Sequence, residues 1–176
     1  MSSHEIIKKM PLKKIFLFTI ILQFFELKIA FAQELQAKFQ DWSVFKTERG
    51  DKTICYIASI PIKSVGNYEK RGEPFFLVTS LENDSDEISA SSGFIFSKNS
   101  NVELNFGAKK YYLFPFKTIA WANDKNDDAD IIKDMQNNSE MIVNGIARDG
   151  KISTDTYSLI GFAHGYKKMK EICQIH

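Results

Sequence analysis

One short stretch of the chain concentrates the residue types that hydrolases use. The run STDTYSLIGFAH, from Ser153 to His164, places several hydroxyl groups close to Asp155 and a histidine. A serine nucleophile, a histidine base and an acid that orients the base form the triad of acyl-transfer enzymes. The stretch therefore raises the hypothesis of a hydrolase that uses Asp155, His164 and a nearby serine.

The strand pattern of the same stretch argues against a triad. Side chains alternate along a strand, so Ser153, Asp155 and Tyr157 share one face. His164 lies beyond the break at Gly161, and no GxSxG elbow exposes a serine nucleophile. We therefore interpret the stretch as a final strand that runs into a helix, and we predict no catalytic residue. The hydrolase remains an alternative.

A second candidate is an acidic run that resembles a calcium-binding loop. In DKNDDADIIKDM, Asp124, Asn126, Asp128 and Asp130 have the spacing of oxygen ligands. The loop requires glycine at its sixth position and glutamate at its twelfth, but the run has alanine and methionine there. An N-cap at Asp127 or Asp128 explains the same acids, so we predict no metal site.

Aromatic residues are the third feature, with 15 Phe, 6 Tyr and 2 Trp in the chain. Most of those in or beside predicted strands are expected in the core. Strand alternation sends the two members of Tyr111-Tyr112, and of Phe75-Phe76, to opposite faces. An aromatic surface left exposed in this way is typical of a contact site for a protein or ligand. The sequence includes these aromatics in or beside strands: Trp42, Phe75, Phe76, Phe94, Phe96, Tyr111, Tyr112, Phe114, Phe116 and Trp121.

Short β-rich runs separated by turn residues dominate the chain. They follow a polar lead-in and are interrupted by a long polar loop over residues 61–72. Asp149-Gly150 predicts a two-residue hairpin loop, and the run at 74–80 is apolar enough to be covered on both faces. The predicted strands are residues 39–45, 53–60, 74–80, 87–97, 102–106, 109–114, 140–148 and 152–160.

Two helices complete the expected fold. Residues 127–137 have acids in the first turn and Ile131, Ile132 and Met135 on one stripe. Residues 164–174 place Tyr166, Met169 and Cys173 on one face of a closing helix. The pattern predicts a mostly β, antiparallel β-sandwich with one short internal helix and a C-terminal helix.

The first 32 residues have the pattern of a secretory signal peptide. Four lysines between residues 8 and 14 precede the apolar run Ile15 to Phe25, which is shorter than the about 20 residues that span a bilayer. Ala30, Phe31 and Ala32 form a small-x-small cleavage triplet, which places the mature start at Gln33. An uncleaved N-terminal anchor is the alternative. Residues 33–176 are expected to form a single domain.

Export changes the interpretation of the two cysteines, Cys55 and Cys173. In an oxidising compartment an even pair favours a disulfide, and two thiols cannot fill a zinc sphere. We therefore expect Cys55 and Cys173 to be bonded to each other, with two separate buried thiols as the alternative. The chain has no CxxC motif, so neither state indicates redox catalysis.

The charge balance excludes one class of partner. Loss of residues 1–32 removes five lysines and two glutamates, which leaves a formal charge of −2 on the mature chain. Nucleic-acid binding depends on neutralising several phosphates at once. We therefore predict no nucleic-acid partner.

Taken together, several segments resemble the invasion-associated locus B family of secreted bacterial proteins. DTYSLIGF after a hairpin, combined with DWSV near the mature start, is the most specific feature. The segments that carry the resemblance are FQDWSVF (39–45), CYIASIP (55–61), RGEPFFLVTS (71–80), MIVNGIARDGKISTDTYSLIGF (141–162) and the terminal Cys173.

The resemblance implies an exported protein of Gram-negative bacteria, in the periplasm or outer envelope, that is linked in some pathogens to host-cell entry. It implies no reaction, no cofactor and no catalytic residue. Many relatives have further cysteines near Phe45 and near the segment FKTIAWAN (116–123), and this chain has none at either place. One bridge is therefore left, which puts a shared redox role in doubt.

The expected function is that of a binding module whose partner is an unidentified envelope or host protein. Peripheral association with a membrane is compatible with this interpretation. Two other functions stay open: the hydrolase with Asp155 and His164, and an envelope-stability factor whose link to invasion is indirect.

Overall fold

Eleven strands and two helices make up the part of the chain that the structure, a computed structural model, describes: residues 33–50, 52–80 and 85–173. The predicted leader, residues 1–32, lies outside the described residues. The elements are β1 (Glu34–Phe39), β2 (Trp42–Arg49), β3 (Lys52–Ser59), β4 (Lys63–Gly66), β5 (Phe75–Ser80), β6 (Asp86–Ser91), β7 (Val102–Asn105), β8 (Lys110–Phe116), β9 (Ile119–Trp121), α1 (Lys125–Asn137), β10 (Glu140–Ile146), β11 (Ile152–Ser158) and α2 (Phe162–Cys173).

All eleven strands belong to one antiparallel sheet, in the order β1-β2-β3-β5-β6-β9-β8-β7-β10-β11-β4. The predicted mostly β, antiparallel architecture with two helices is confirmed. The predicted β-sandwich, which requires two separate sheets, is not confirmed, because β8 connects the two halves of the strand order into one sheet. The first part of β8 pairs with β7, from Lys110 to Leu113, and its last part pairs with β9, from Phe114 to Phe116.

The core lies where distant strands of this sheet meet. Trp42 on β2 donates its indole N–H to the Ser158 carbonyl on β11 at 2.9 Å. Phe76 on β5 contacts Tyr157 on β11, with ring centroids 5.9 Å apart. The sheet therefore curves until strands near its two ends pack against each other. Phe162 of α2 adds an edge contact to Trp42, 4.9 Å between centroids.

The two helices follow the predicted apolar stripes but begin earlier than predicted. In α1, Ile131, Ile132 and Met135 are buried as expected. The helix starts at residue 125, because Asp124, and not Asp127 or Asp128, caps its N-terminus. Helix α2 starts at residue 162, since its first residue is apolar and buried under the sheet.

Strand predictions failed mainly at short or exposed segments. The lead-in forms β1, the loop at 61–72 contains the exposed β4, and β9 is too short to give a pattern. The predicted strand at 39–45 is divided by a turn at Gln40. The predicted strand at 87–97 ends at residue 91, since Gly93 has a positive φ and lies against the backbone of Gly72.

Two local predictions were wrong in detail. The β10–β11 hairpin has three loop residues, 148–150, rather than two, because the backbone N–H of Ala147 donates to the Lys151 carbonyl at 2.7 Å. Of these three residues, only Gly150 has a positive φ. Strand β5 alternates between buried and half-buried residues and is not covered equally on both faces.

The structure contains a disulfide between Cys55 on β3 and Cys173 on α2, as the sequence analysis expects. The Cα atoms are 5.9 Å apart, and the bridge joins residues separated by 118 positions. In the chain-entropy model, closing a loop of this length stabilises the fold by about 5 kcal/mol. The bridge therefore fixes α2 over the strands that form the core.

Candidate functional site

The residues that suggested a hydrolase lie on the inner face of β11. Ser153, Asp155 and Tyr157 are buried side by side, as strand alternation predicts. Arg71 approaches from the loop after β4 and holds both carboxylate oxygens of Asp155. Its Nη1 donates to Oδ2 at 2.7 Å, and its Nη2 bonds Oδ1. We call this pair, with its neighbours Tyr68 and Ser92, the Arg71 cluster.

The Arg71 cluster attaches the loop at 67–74 to the core. The Arg71 and Asp155 side chains are 6% and 1% exposed. Arg71 also donates to the Ser92 carbonyl at 3.0 Å, and its guanidinium carbon lies 4.3 Å from the centre of the Tyr68 ring. The hydrogen bond with Asp155 raises the pKa of Arg71, although burial opposes this effect. The three hydrogen bonds from Arg71 to Asp155 and Ser92 hold this loop against the core.

His164 does not join the Arg71 cluster. It is an exposed residue in the first turn of α2, whereas Asp155 is buried and bound to Arg71 through both oxygens. Ser153 and Ser92 have buried hydroxyls without a hydrogen-bond partner among the described residues. Asp155 orients no histidine, and neither serine hydroxyl is hydrogen-bonded to a base among the described residues, so the structure does not favour the hydrolase hypothesis.

The acidic run at 124–135 forms the start and body of α1, so it has no loop to enclose a cation. Asp124 accepts the backbone N–H groups of Asn126 and Asp127, at 2.8 and 3.0 Å. Asp128 accepts the N–H of Ile88 at 2.8 Å. Within residues 33–50, 52–80 and 85–173, no group of three or more His, Cys, Asp or Glu side chains is placed to hold a metal ion.

The strongest candidate for a functional surface is a groove on the outer face of the sheet, beside the N-terminus of α1. It has a volume of about 490 Å³, within the range of roughly 300 to 1,000 Å³ typical of ligand sites. We call it the aromatic groove. Its lining residues are Ser85, Asp86, Glu87, Phe114, Phe116, Trp121, Ala122, Asn123, Asp124, Lys125 and Asp128.

Strand alternation explains why aromatic side chains line this groove. Leu113 of β8 is buried on the inner face, so Tyr112, Phe114 and Phe116 point outward and are 50%, 44% and 60% exposed. Phe114 pairs directly with Trp121 of β9, and their rings stack with centroids 5.9 Å apart. Exposed aromatic side chains grouped in this way are typical of contact surfaces.

Hydrogen bonds fix the helical wall of the groove to the sheet. Asn123 donates through Nδ2 to the Tyr112 carbonyl and to Asp127 Oδ2, both at 2.9 Å. The bond from Ile88 to Asp128 connects the same helical turn to β6. The backbone on both sides of the groove is therefore set before any partner arrives, which lowers the entropic cost of binding.

Carboxylates dominate the charge of the groove. Asp86, Glu87, Asp124 and Asp128 line it, with Lys125 as the one cation among its lining residues. Asp86 is bonded to Lys170 at 3.1 Å and to Tyr166. Burial raises the pKa of Asp128, and the hydrogen bond from the Ile88 backbone opposes this effect. Glu87 and Asp124 therefore contribute most of the negative charge that a partner would meet.

The aromatic residues of the groove are among those that the sequence places in or beside strands, but the sequence does not reveal that they are exposed. Its strand alternation singled out Tyr111-Tyr112, which do point to opposite faces, and Phe75-Phe76, of which Phe75 is half-buried and Phe76 buried. The alternation of YYLFPF places Tyr112, Phe114 and Phe116 on one face. It does not reveal which face is outward. Glu87 carried no signal in the sequence, and Asp124 was singled out only for the spacing of a calcium-binding loop.

Neither described helix, over residues 33–50, 52–80 and 85–173, has the length and apolar character required to cross a membrane.

Comparisons with known proteins identify the family. The family model for Invasion associated locus B (IalB) protein matches residues 42–170. The crystal structure of invasion associated protein B from Bartonella henselae is similar, with a TM-score of 0.58 and 13% sequence identity over 79% of this chain and 97% of that chain. At this identity the likeness shows a shared fold. No curated protein matches the chain. The chain therefore belongs to the invasion associated locus B family.

Proposed function

We propose that this protein is exported to the cell envelope and acts there as a binding module. Its contact with an envelope or host protein would support entry into host cells. Family membership supports the link with invasion, and so does the name of the Bartonella henselae neighbour, invasion associated protein B. The aromatic groove is the proposed contact surface.

The observation that carries this proposal is the exposure of aromatic side chains on a rigid, concave surface. Phe114 and Phe116 come from one strand, and Trp121 stacks on the first of them. Aromatic residues are enriched at protein interfaces and contribute much of the binding free energy there. The Arg71 cluster, in contrast, is enclosed and has no equivalent surface to offer.

Two features of the chain support the proposal that the protein is exported. Residues 1–32 have the charged, apolar and small-residue regions of a signal peptide, and we propose cleavage before Gln33. The disulfide between Cys55 and Cys173 fits an oxidising compartment such as the periplasm. The mature domain would then comprise residues 33–176.

Site-specific photo-crosslinking in intact cells tests the contact surface. A photoreactive amino acid at Phe116 is compared with one at Ile160, which is also exposed but lies between β11 and α2. We expect a discrete cross-linked species from Phe116 and none of the same size from Ile160. The same species must disappear when Phe114 is changed to serine in the cross-linking protein.

A matched pair of variants connects the contact to function. Phe114→Ser/Phe116→Ser alters the groove, and Ile152→Ser/Ile160→Ser removes two apolar side chains of similar exposure elsewhere. Only the groove variant should reduce host-cell entry, provided that both variants unfold within a few degrees of the wild type. Equal entry by the two variants would contradict the proposed contact surface.

A further inference from the structure

The chemistry of the aromatic groove points to the kind of side chain that it takes. We propose that the groove binds an arginine or lysine side chain on an exposed segment of the partner protein. This inference rests on the proposed function and adds the charge and chemical class of the ligand.

The charge of the groove favours a cationic ligand. Four carboxylates and one ammonium line it, and Lys170 already neutralises Asp86. Glu87 from β6 and Asp124 at the start of α1 line the same groove as the aromatic residues. An anionic side chain would be repelled here, whereas a cation would gain charge-assisted hydrogen bonds.

The aromatic wall of the groove, formed by Phe114, Phe116 and Trp121, favours a cation as well. The faces of tryptophan and phenylalanine rings attract cations that approach within about 6 Å of the ring centre. The chain itself shows this contact beside the groove: the ammonium of Lys117, which is not a lining residue, lies 5.3 Å from the centre of the Phe116 ring. The stacked pair of Phe114 and Trp121 offers a larger surface of the same kind.

Together, the carboxylates and the aromatic rings of the groove favour a cationic side chain of a protein over the choline headgroup of a lipid. Glu87 and Asp124 are hydrogen-bond acceptors, and a guanidinium or ammonium group carries the N–H donors that match them. A quaternary ammonium group has no N–H donor and could form no hydrogen bond with Glu87 or with the Asp124 oxygen atom that does not cap α1. The ligand of the groove is therefore an arginine or lysine side chain of a protein partner.

Titration with a capped peptide tests the inference on the mature protein. The probe is acetyl-Gly-Arg-Gly-Arg-Gly-amide, and the comparison is the same peptide with citrulline in place of arginine. Citrulline keeps the shape and three of the five N–H donors, carries a carbonyl oxygen in place of one nitrogen, and lacks the charge. Binding is followed by NMR through the indole signal of Trp121, with the buried Trp42 as an internal reference.

We expect the arginine peptide to shift the Trp121 signal and to bind about tenfold more tightly than the citrulline peptide. The difference should decrease as salt is raised, because exposed charges are screened. Equal binding of the two peptides, or no shift with millimolar arginine peptide, would overturn the inference.

Two charge variants localise the effect. Glu87→Gln/Asp124→Asn removes both charges but retains their shape, and asparagine caps a helix about as well as aspartate. Glu73→Gln/Glu140→Gln removes two exposed acids outside the groove. The first variant should bind the arginine peptide about tenfold more weakly, and the second should bind like the wild type. Equal affinity of the first variant and the wild type would overturn the inference.

The remaining outcomes separate this inference from the proposed function. If phosphatidylcholine vesicles bind the wild type and not the Phe114→Ser/Phe116→Ser variant, a lipid and not a protein cation occupies the groove. If the peptide fails but this variant still loses host-cell entry, the groove is a contact surface for a partner of another chemistry. If the peptide binds the wild type but host-cell entry by the Phe114→Ser/Phe116→Ser variant is unchanged, the proposed function is wrong and the inference about the ligand stands.

Discussion

The Arg71 cluster and the aromatic groove contrast in a way that reverses what their residue types suggest. Asp155 has the residue type of a catalytic acid, yet it is buried and bound through both oxygens to Arg71. Phe114 and Phe116 have the residue type of a core, yet they are exposed on the outer face of the sheet. The comparison teaches that environment, and not residue type, decides which region is available to a partner.

The two regions should also differ in what a substitution does. Removing one partner of a buried ion pair leaves an uncompensated charge in the core, which is among the costliest changes in a protein. A substitution on an exposed surface changes stability little. Changes in the Arg71 cluster should therefore act on folding, and changes in the groove should act on binding.

The largest expected effect is the loss of one partner in the Arg71 cluster. Asp155→Ala leaves the buried Arg71 side chain without its carboxylate and should lower the free energy of unfolding by about 3 to 5 kcal/mol. Urea unfolding measures this loss. As a control, Arg71→Met/Asp155→Leu removes both charges and should recover much of the stability. A loss below about 1 kcal/mol for Asp155→Ala would show that the pair does not hold the loop.

Helix α1 allows the same comparison within one element, because Asp134 near its end is buried and Asp124 at its start is exposed. Burial alone raises the pKa of Asp134, but hydrogen bonds from Tyr111 and Lys109 outweigh this effect and hold the pKa below its ordinary value. Tyr111→Phe should lower the free energy of unfolding by about 1.5 to 3 kcal/mol at neutral pH.

The pH dependence of that loss follows from the direction of the shift. Asp134 is charged in the folded protein, and its lowered pKa contributes stability above the unfolded pKa of about 3.9. The contribution is lost as the pH falls through the folded pKa. The difference between wild type and Tyr111→Phe in urea unfolding should therefore shrink below about pH 4. A difference that stays constant down to pH 2 would exclude Asp134 as its source.

The smallest expected effect on stability belongs to the groove. Glu87→Gln/Asp124→Asn should change the free energy of unfolding by no more than about 0.5 kcal/mol, because its residues lie near the surface and the helix cap is retained. Thermal and urea unfolding of the variant check this value. A loss of several kcal/mol would mean that the two acids serve the fold, and the contrast with the Arg71 cluster would disappear.

Local patterns were sufficient to predict the elements with strong periodicity. The stripe of Ile131, Ile132 and Met135 predicted α1, and the alternation at 152–158 predicted which residues of β11 share a face. The paired cysteines predicted the disulfide, because the chain has only two. Each of these predictions depended on residues close in sequence or on simple counting.

The remaining features depend on contacts that local sequence does not encode. Arg71 and Asp155 are 84 positions apart, and nothing near Arg71 indicates its partner. The single sheet results from β8, which changes partner from β7 to β9 along its length. The outward direction of Phe114 and Phe116 depends on that pairing as well. The groove could therefore be predicted as an alternating aromatic strand, but not as a surface.

Complementation of a gene-deletion strain tests the central claim most directly. Host-cell entry is measured with wild type, His164→Ala and Phe114→Ser/Phe116→Ser, after equal thermal unfolding and equal amounts in the envelope have been established. We predict full entry with His164→Ala and loss of entry with the groove variant. Loss of entry with a folded His164→Ala variant, together with full entry by the groove variant, would contradict the account.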